Sequence, residues 1–432
     1  MHTLNLKHGN HMITLMTRRK TLALTLFVMP AIFAASARGQ ATFQGLGDLT
    51  GGSYMSDARG VSDDGSVVVG ISESTSGPEA FHWTSAVGMV GLSDLTGGSF
   101  FSEAYAVSAD GLVVVGRGTS GSGAEAFRWT SSGGMVGLDD LAGDIFFSQA
   151  FGLSADGSVV IGRSKSTPGM EAYRWTNAEG MVGLGDLPGG LFFSQAQAVS
   201  ADGSMVFGSS NIVSGAETFV WTSVGGLVSL GDIAGGGVFS QAEAVTADGS
   251  VVVGIGTSAS GNEAFRWTSA GGMVGLGELA GGGFSSQALG VSDDGSRVVG
   301  FSNIASGNAA IIWDVVNGMR NLQDVLANDF SLTLPGWTLT EAYAISGDGK
   351  SIVGRGINPA SDTEGWIVTI PAPCPSDTSG DGLVNVTDLL ALLAAWGPCP
   401  ASPSPCPSDF NNDGQVNVTD LLALLAAWGP CP

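Results

Sequence analysis

Residues 104–141 read AYAVSADGLVVVGRGTSGSGAEAFRWTSSGGMVGLDDL, and the same sentence returns with small changes along most of the chain. Its marker is tryptophan: Trp83, Trp129, Trp175, Trp221, Trp267 and Trp313 stand 46 residues apart. A fixed period of this length signals a repeat architecture. Six units begin at Gly45, Gly91, Gly137, Gly183, Ser229 and Gly275, and a divergent seventh at Asn321. Within unit two, Gly and Asp-Gly punctuation separates four apolar runs: Phe101 to Ser108, Val113 to Arg117, Ala126 to Thr130 and Met135 to Leu138. Ala109-Asp110-Gly111 joins the first two as a hairpin turn, because Gly accepts positive φ. No window before residue 385 carries a helical period, so four antiparallel strands per unit are expected, the arithmetic of a β-propeller blade.

The chain ends decide the blade count. First-strand copies start near Ala58, Ala104, Ala150, Ala196, Ala242, Ala288 and Ala342. The last third strand is Glu364 to Val368, and no fourth strand follows it. The missing copy stands at the other end, as Thr42 to Leu49. Pairing the two would seal a ring and remove an open sheet edge. The expected fold is all-β, a seven-bladed β-propeller closed by an N-terminal strand, with an open solenoid as the alternative. Unit seven carries extra residues around Pro335, Gly336 and Trp337, and has Val368 where the others have Trp.

The units resemble the HAF repeat of bacterial extracellular proteins over residues 42 to about 370, with the motif standing as Glu79-Ala80-Phe81, Glu125-Ala126-Phe127, Glu171-Ala172-Tyr173, Glu217-Thr218-Phe219 and Glu263-Ala264-Phe265. The resemblance implies an exported propeller and no particular reaction.

Composition agrees with export. Residues 1–40 have the form of a signal peptide: Arg18, Arg19 and Lys20, an apolar run from Thr21 to Ala35, and Ala35-Ser36-Ala37 as a cleavage site. Met12 and Met16 are alternative starts, and a membrane anchor is the competing reading, disfavoured by the short run and Pro30. The formal net charge is -23, and about -28 once the leader is removed, since no Asp or Glu precedes residue 41. Such a surface repels nucleic acid and anionic membranes. The expected location is secreted or cell-surface, with no integral membrane span after signal cleavage.

Several residue sets keep the repeat's time. An acid recurs as Asp48, Asp94, Asp140, Asp186, Asp232, Glu278 and Asp324, and Glu recurs at 79, 125, 171, 217, 263 and 364. Each set is either a collar that gathers cations or a series of carboxylates capping their own turns, and the second is the simpler reading. Tyr54, Phe100-Phe101, Phe146-Phe147, Phe192-Phe193, Phe239, Phe284 and Trp337 precede the first strands, either as a sugar-stacking crown or, more simply, as wedges between blades. Catalysis has little to work with. His82 is the one histidine beyond the leader, in a slot that elsewhere holds Arg128, Arg174 or Val220. A paired-carboxylate glycosidase would break the repeat to place a unique acid and base, whereas these acids repeat with the scaffold.

From Pro371 the composition changes. Two near-copies, Asp377 to Asp388 and Asp409 to Asp420, place oxygen donors at positions 1, 3, 5, 9 and 12 of a 12-residue loop with Gly at 6. That is the pattern of an EF-hand calcium loop. The expected Ca²⁺ ligands are Asp377, Ser379, Asp381, the Leu383 carbonyl, Asn385 and Asp388, then Asp409, Asn411, Asp413, the Gln415 carbonyl, Asn417 and Asp420. After each loop, Leu389, Leu392, Leu393 and Trp396, and Leu421, Leu424, Leu425 and Trp428, fall on one helical face, expected to pack together. The tandem resembles a type I dockerin over residues 374–432, which implies a cohesin partner. Val386-Thr387 and Val418-Thr419 are unusual recognition residues for that family. Cysteines 374, 399, 406 and 431 suggest disulfides, and equal spacing favours Cys374–Cys399 with Cys406–Cys431.

The organisation expected is therefore a signal peptide at 1–40, a propeller at 41–370 and a dockerin-like module at 371–432. The function expected is an exported, non-enzymatic binding or display propeller, tethered through the calcium module to a cohesin-like protein or a cell-surface partner. The alternative is a glycan-binding or polysaccharide-degrading component of an extracellular complex.

Overall fold

The computed structural model describes residues 40–143, 145–371, 374, 376–379, 383–399, 406–410 and 414–430. The expected signal peptide lies outside the described residues, apart from Gln40.

Seven four-stranded antiparallel blades follow one another, five as separate sheets and blades four and five joined into one sheet by a single parallel bridge. In the second, Gly97–Val107, Val113–Ser120, Gly123–Thr130 and Gly134–Gly137 run from the innermost strand to the outermost. The seventh takes three strands from Thr338–Ile345, Ser351–Ile357 and Thr363–Thr369, and its fourth from Thr42–Gly45. Phe43 pairs with Val368 and Gly45 with Trp366, antiparallel, so the ring closes as the offset of the repeats requires.

The turn between the first two strands of each blade is self-contained. In Ser108-Ala-Asp110-Gly111, the Asp110 carboxylate accepts Ser108 Oγ at 2.6 Å and the Leu112 N–H at 3.0 Å. Gly111 takes φ 74°, which a side chain would oppose. Asp64, Asp156, Asp202, Asp248, Asp294 and Asp348 repeat this bonding.

Blades are joined by a buried serine. Ser148 Oγ, on the first strand of blade three, accepts the Ala126 N–H of blade two at 2.9 Å and donates to the Asp139 carbonyl at 2.5 Å. Ser102, Ser194, Ser240 and Ser286 do the same at their junctions. Ser56 does it across the closure, accepting from Gly365 and donating to Gly47. All six are 0–1% exposed. Single parallel bridges reinforce the junctions, at Ala124–Phe147, Met170–Phe193, Ala216–Phe239 and Asn262–Ser285. Of the aromatic-bearing turns, those of Phe100, Phe146, Phe192 and Phe284 sit half-buried between blades and crowd glycines of the preceding blade, whereas Tyr54 is exposed.

The junction of blades six and seven departs from this plan. Thr340, in the serine's place, donates to Arg355 of its own blade. The seam is filled instead by a helix, α1 (Leu322–Asp329), which corrects the expectation of no helix before residue 385. Asn321 caps it by accepting the Gln323 and Asp324 N–H groups, and Leu322, Val325 and Leu326 turn inward. An eight-residue helix shows only two apolar turns, too short a period to stand out in a β-rich chain. Phe43 and Trp337 pack edge to face here, with centroids 4.9 Å apart.

Ser148→Ala should cost about 1–3 kcal/mol, because it leaves a buried N–H and C=O without their partner; equilibrium urea denaturation measures it.

Candidate calcium loops and the propeller channel

In the C-terminal module, α2 (Val386–Ala394) and α3 (Val418–Ala426) each follow one acidic loop. Asp388, at the end of the first loop, is fully buried and accepts the N–H groups of Ser379 at 2.8 Å and Asn385 at 2.9 Å. Burial pushes its carboxyl up, but these hydrogen bonds outweigh it and leave it below the usual carboxylate range. Asp420 is its buried counterpart, accepting from Phe410 at 2.7 Å and Asn417 at 2.9 Å. Asn385 and Asn417 use their side-chain oxygens to cap the helices, accepting from Thr387 and Thr419. Ser379 Oγ donates to Asp377 at 3.1 Å, and Asp409 accepts the Gly414 N–H at 2.9 Å. Asp381, Asn411 and Asp413 lie outside the described residues. Those described offer oxygen donors alone, a set that fits Ca²⁺.

The two repeats interleave. Leu383–Val384 pairs with Gly429–Pro430, and Gly397–Pro398 with Gln415–Val416. Each loop thus borrows a strand from the other repeat's exit. The disulfide follows suit: Cys399 bonds Cys406, and Cys374 is also disulfide-bonded. This overturns the pairing expected from equal spacing, which assumed that each repeat closes on itself; Cys431 lies outside the described residues. Asp409 lies beside Cys399 and Cys406, but sulfurs joined in a disulfide supply no thiolate for a metal.

The helical faces also need correcting. Val384, Leu392, Val416 and Leu424 form the module's core, with Leu389 and Leu421 against it. Leu393 and Trp396 face outward at 48% exposure, beside Val386 at 58% and Leu390 at 61%. Val418, Leu422, Leu425 and Trp428 repeat this stripe at 48–61%. Trp396 lies beyond the end of α2, so a helical wheel extended to it misplaces the face.

In the propeller, the recurring glutamates serve their own turns. Glu79 accepts the Ser93 N–H, Glu125 that of Asp139, Glu171 that of Gly185, Glu263 that of Gly277 and Glu364 that of Gly47. Glu217 accepts Ser229 Oγ. Of the other acid set, Asp140 accepts the Phe147 N–H and Asp324 lies in the first turn of α1. The His82 slot holds a clasp between blades: His82 hydrogen-bonds the Gly111 backbone, and Arg128 Nε donates to the Gly157 carbonyl at 3.3 Å.

Sequence reasoning missed the channel wall. The residue after each inter-blade serine, or after Thr340, is polar: Asp57, Glu103, Gln149, Gln195, Gln241, Gln287 and Glu341. Four of the eleven cationic residues beyond residue 40 join them, namely Arg59, Arg117, Arg163 and Arg355. Arg59 contacts Asp57 and Glu103, Arg117 contacts Glu103, and Arg355 contacts Glu341 and Asp57. Tyr105 and Tyr343 donate to Glu103 and Glu341. Each guanidinium lies over a ring, 5.2 Å from Tyr105 for Arg59 and 5.0 Å from Phe101 for Arg117. The legible signal was a polar residue at a fixed place in an otherwise small-residue strand.

At one end of the blades the first turns hand hydrogen bonds around the ring. Asp63 N–H meets the Ala109 carbonyl, Ala109 meets Ala155, Ala155 meets Ala201 and Ala201 meets Ala247, at 2.9–3.2 Å. Blades one and six break the alanine pattern with Asp63 and Asp293, which flank Gly347; a Cβ there would lie 2.5 Å from Asp293 Oδ2 and 3.1 Å from Asp63 Cγ. Burial raises both carboxyls above their ordinary range, and negative neighbours add to the rise. A cleft of about 890 Å³ between the turns of blades two to four is lined by Arg128, Arg174, Trp175, Asp156, Asp202 and Glu179, among others. Among the described residues, no helix is long and apolar enough to cross a membrane.

Residues 375–427 match the dockerin type I domain. No curated protein matches the chain. Among solved structures, it is similar to an oligogalacturonate lyase from Vibrio parahaemolyticus, at 11% identity over 78% of this chain and 99% of that one, TM-score 0.48. It is also similar to TolB from Acinetobacter baumannii, at 11% identity over 60% of each chain, TM-score 0.39, so the chain spans 60% of that protein's length. A third is a gluconolactonase from Xanthomonas campestris, at 12% identity over 78% and 92%, TM-score 0.37.

Non-reducing proteolysis with mass mapping should recover a peptide linking Cys399 to Cys406; recovery of Cys374 joined to Cys399 would contradict the interleaved module.

Proposed function

We propose that this chain is an exported, non-enzymatic binding or display propeller of HAF-type repeats, carried to an extracellular assembly by its C-terminal module. The observation that carries the reading is the duplicated apolar stripe of α2 and α3, left outward on a module matched by the dockerin family. Dockerin domains bind calcium and cohesin partners. The stripe here has no charged side chain, so the proposed occupant is a cohesin-like protein with an apolar face. Exposed apolar surface of this kind, repeated on one small module, marks a docking face.

In this reading residues 1–40 are the export signal, 41–370 the propeller and 371–432 the docking module. Asp377, Ser379, the Leu383 carbonyl, Asn385 and Asp388 hold one Ca²⁺ together with Asp381. Asp409, the Gln415 carbonyl, Asn417 and Asp420 hold the second with Asn411 and Asp413. The ion neutralises carboxylates that would otherwise repel one another and so keeps both helices in register. The channel, with rings, amides and guanidinium groups side by side, is the proposed place for a glycan.

The full-length protein should melt at higher temperature with Ca²⁺ than with EDTA, and EDTA should release it from an immobilised cohesin. Leu390→Asp with Leu422→Asp should weaken capture at least tenfold, while either change alone should cost less, because the other stripe remains. Capture unaffected by the double change would reject the docking face.

One observation favours a second reading, a glycoside hydrolase. Asp63 and Asp293 are acids that do not repeat, and they converge beside Gly347. A hydrolysis screen over neutral and acidic polysaccharides tests it: turnover lost in Asp63→Asn and Asp293→Asn would establish the enzyme, and no turnover supports the binding role.

A further inference from the structure

Across the channel from the ion pairs, Glu243 stands among amides. It is flanked by the Nε2 groups of Gln241 at 2.7 Å and Gln287 at 2.8 Å, both on Oε1, and of Gln197 at 3.2 Å on Oε2. These donors come from the first strands of three successive blades, Ser194–Val199, Gly235–Val245 and Ser286–Val291. The second strands behind them place Ser209, Ile255 and Phe301 opposite Gln195, Gln241 and Gln287. None of these residues is charged, and the influences on Glu243 are burial and the three amides alone.

The amides have a fixed direction. Arg163 can only donate, and its Nη1 and Nη2 donate to Gln195 Oε1 at 3.2 Å and Gln149 Oε1 at 3.1 Å. Gln195 must then turn its Nε2 onward, to Gln241 Oε1 at 3.3 Å, and Gln241 must turn its own Nε2 to Glu243. Oε1 of Glu243 is thereby committed as an acceptor whatever its protonation. A proton has one place to sit, Oε2, whose amide partner is Gln197. Gln197 Oε1 is buried with no hydrogen-bond partner. Rotating that amide by half a turn gives Oε1 the Glu243 O–H to accept and carries Nε2 to the place Oε1 held.

We infer that Glu243 and Gln197 form a one-proton switch in the channel wall, polarised by Arg163 through Gln195 and Gln241. Protonated, Glu243 donates to Gln197 Oε1 and this side of the channel is neutral. Ionised, it accepts from Gln197 Nε2 and presents a negative charge opposite the arginines. Burial pushes the Glu243 carboxyl up to about 7, which places the exchange within the range an exported protein meets. The folded chain then keeps a proton that the unfolded chain releases near 4.5, so this group's contribution to stability falls as pH rises between those values.

Glu243→Gln is a mimic of the protonated state, its Nε2 donating to Gln197 Oε1. Melting temperatures of the full chain, read from about pH 5 to about pH 8.5, should show the variant gaining several degrees on wild type at the alkaline end and matching it at the acid end. Infrared difference spectra of the wild-type chain over the same range should show a protonated-carboxyl C=O band that fades near neutral pH. Parallel melting profiles, or a spectrum with no carboxyl band lost above pH 5, would overturn the switch. The infrared titration needs no variant, so the absence of a fading band overturns the switch even if Glu243→Gln misfolds, while loss of the band in Glu243→Gln assigns it to this group rather than to Asp63 or Asp293.

Discussion

The ring rests on a serine hydroxyl shared between neighbouring blades. At six junctions one buried Oγ accepts the N–H of one blade's third strand and donates to a carbonyl just beyond that blade's fourth. The blades also meet through apolar faces, which by themselves have little preference for register, and the parallel bridges and turn hydrogen bonds reinforce what the serine sets. A buried polar pair left unmade costs more than its formation contributes, so the serine penalises every wrong register. The period of 46 residues is held this strictly because each unit must deliver its serine to the same height in the next.

Much of this was legible from the chain. The tryptophan spacing announces the blades, and the missing fourth strand at residue 369 with its copy at Thr42 announces the closure. The Glu and Asp-Gly sets were legible as turn chemistry, since they recur with the scaffold. What escaped was whatever depends on contacts between repeats. Cys399–Cys406 crosses from one loop-helix unit to the other because the units exchange strands, and no spacing within a unit records that exchange. Trp396 looks buried on a wheel because the wheel ignores where α2 stops, and Leu393, inside α2, faces outward because the core is taken by Leu389 and Leu392 with Val384. Helix α1 escaped because its two apolar turns are too short a period to stand out in a β-rich chain.

The channel shows how function hides inside a repeat. Its wall positions are structurally equivalent, yet they carry Asp, Glu or Gln, and the second strand adds Arg at three of them. Variation at one fixed site, in an array that varies little elsewhere, is where a repeat protein individualises its blades. Blades seven, one and two form an ionic arc, and blades three to six an arc of amides that converges on Glu243. Arg163 belongs to the second arc, since its partners are amide oxygens.

The shared serine also bears on how such a chain grows. Each unit supplies one hydroxyl backward and one N–H forward, so a whole unit can be copied in or lost and every remaining junction still finds both halves. A break inside a unit strands one half. Gene duplication of complete repeats is thus structurally undemanding here, and the circle is tied off in the same terms, since the pairing of Thr42–Gly45 with Thr363–Thr369 lets Ser56 serve the closing junction as its equivalents serve the others.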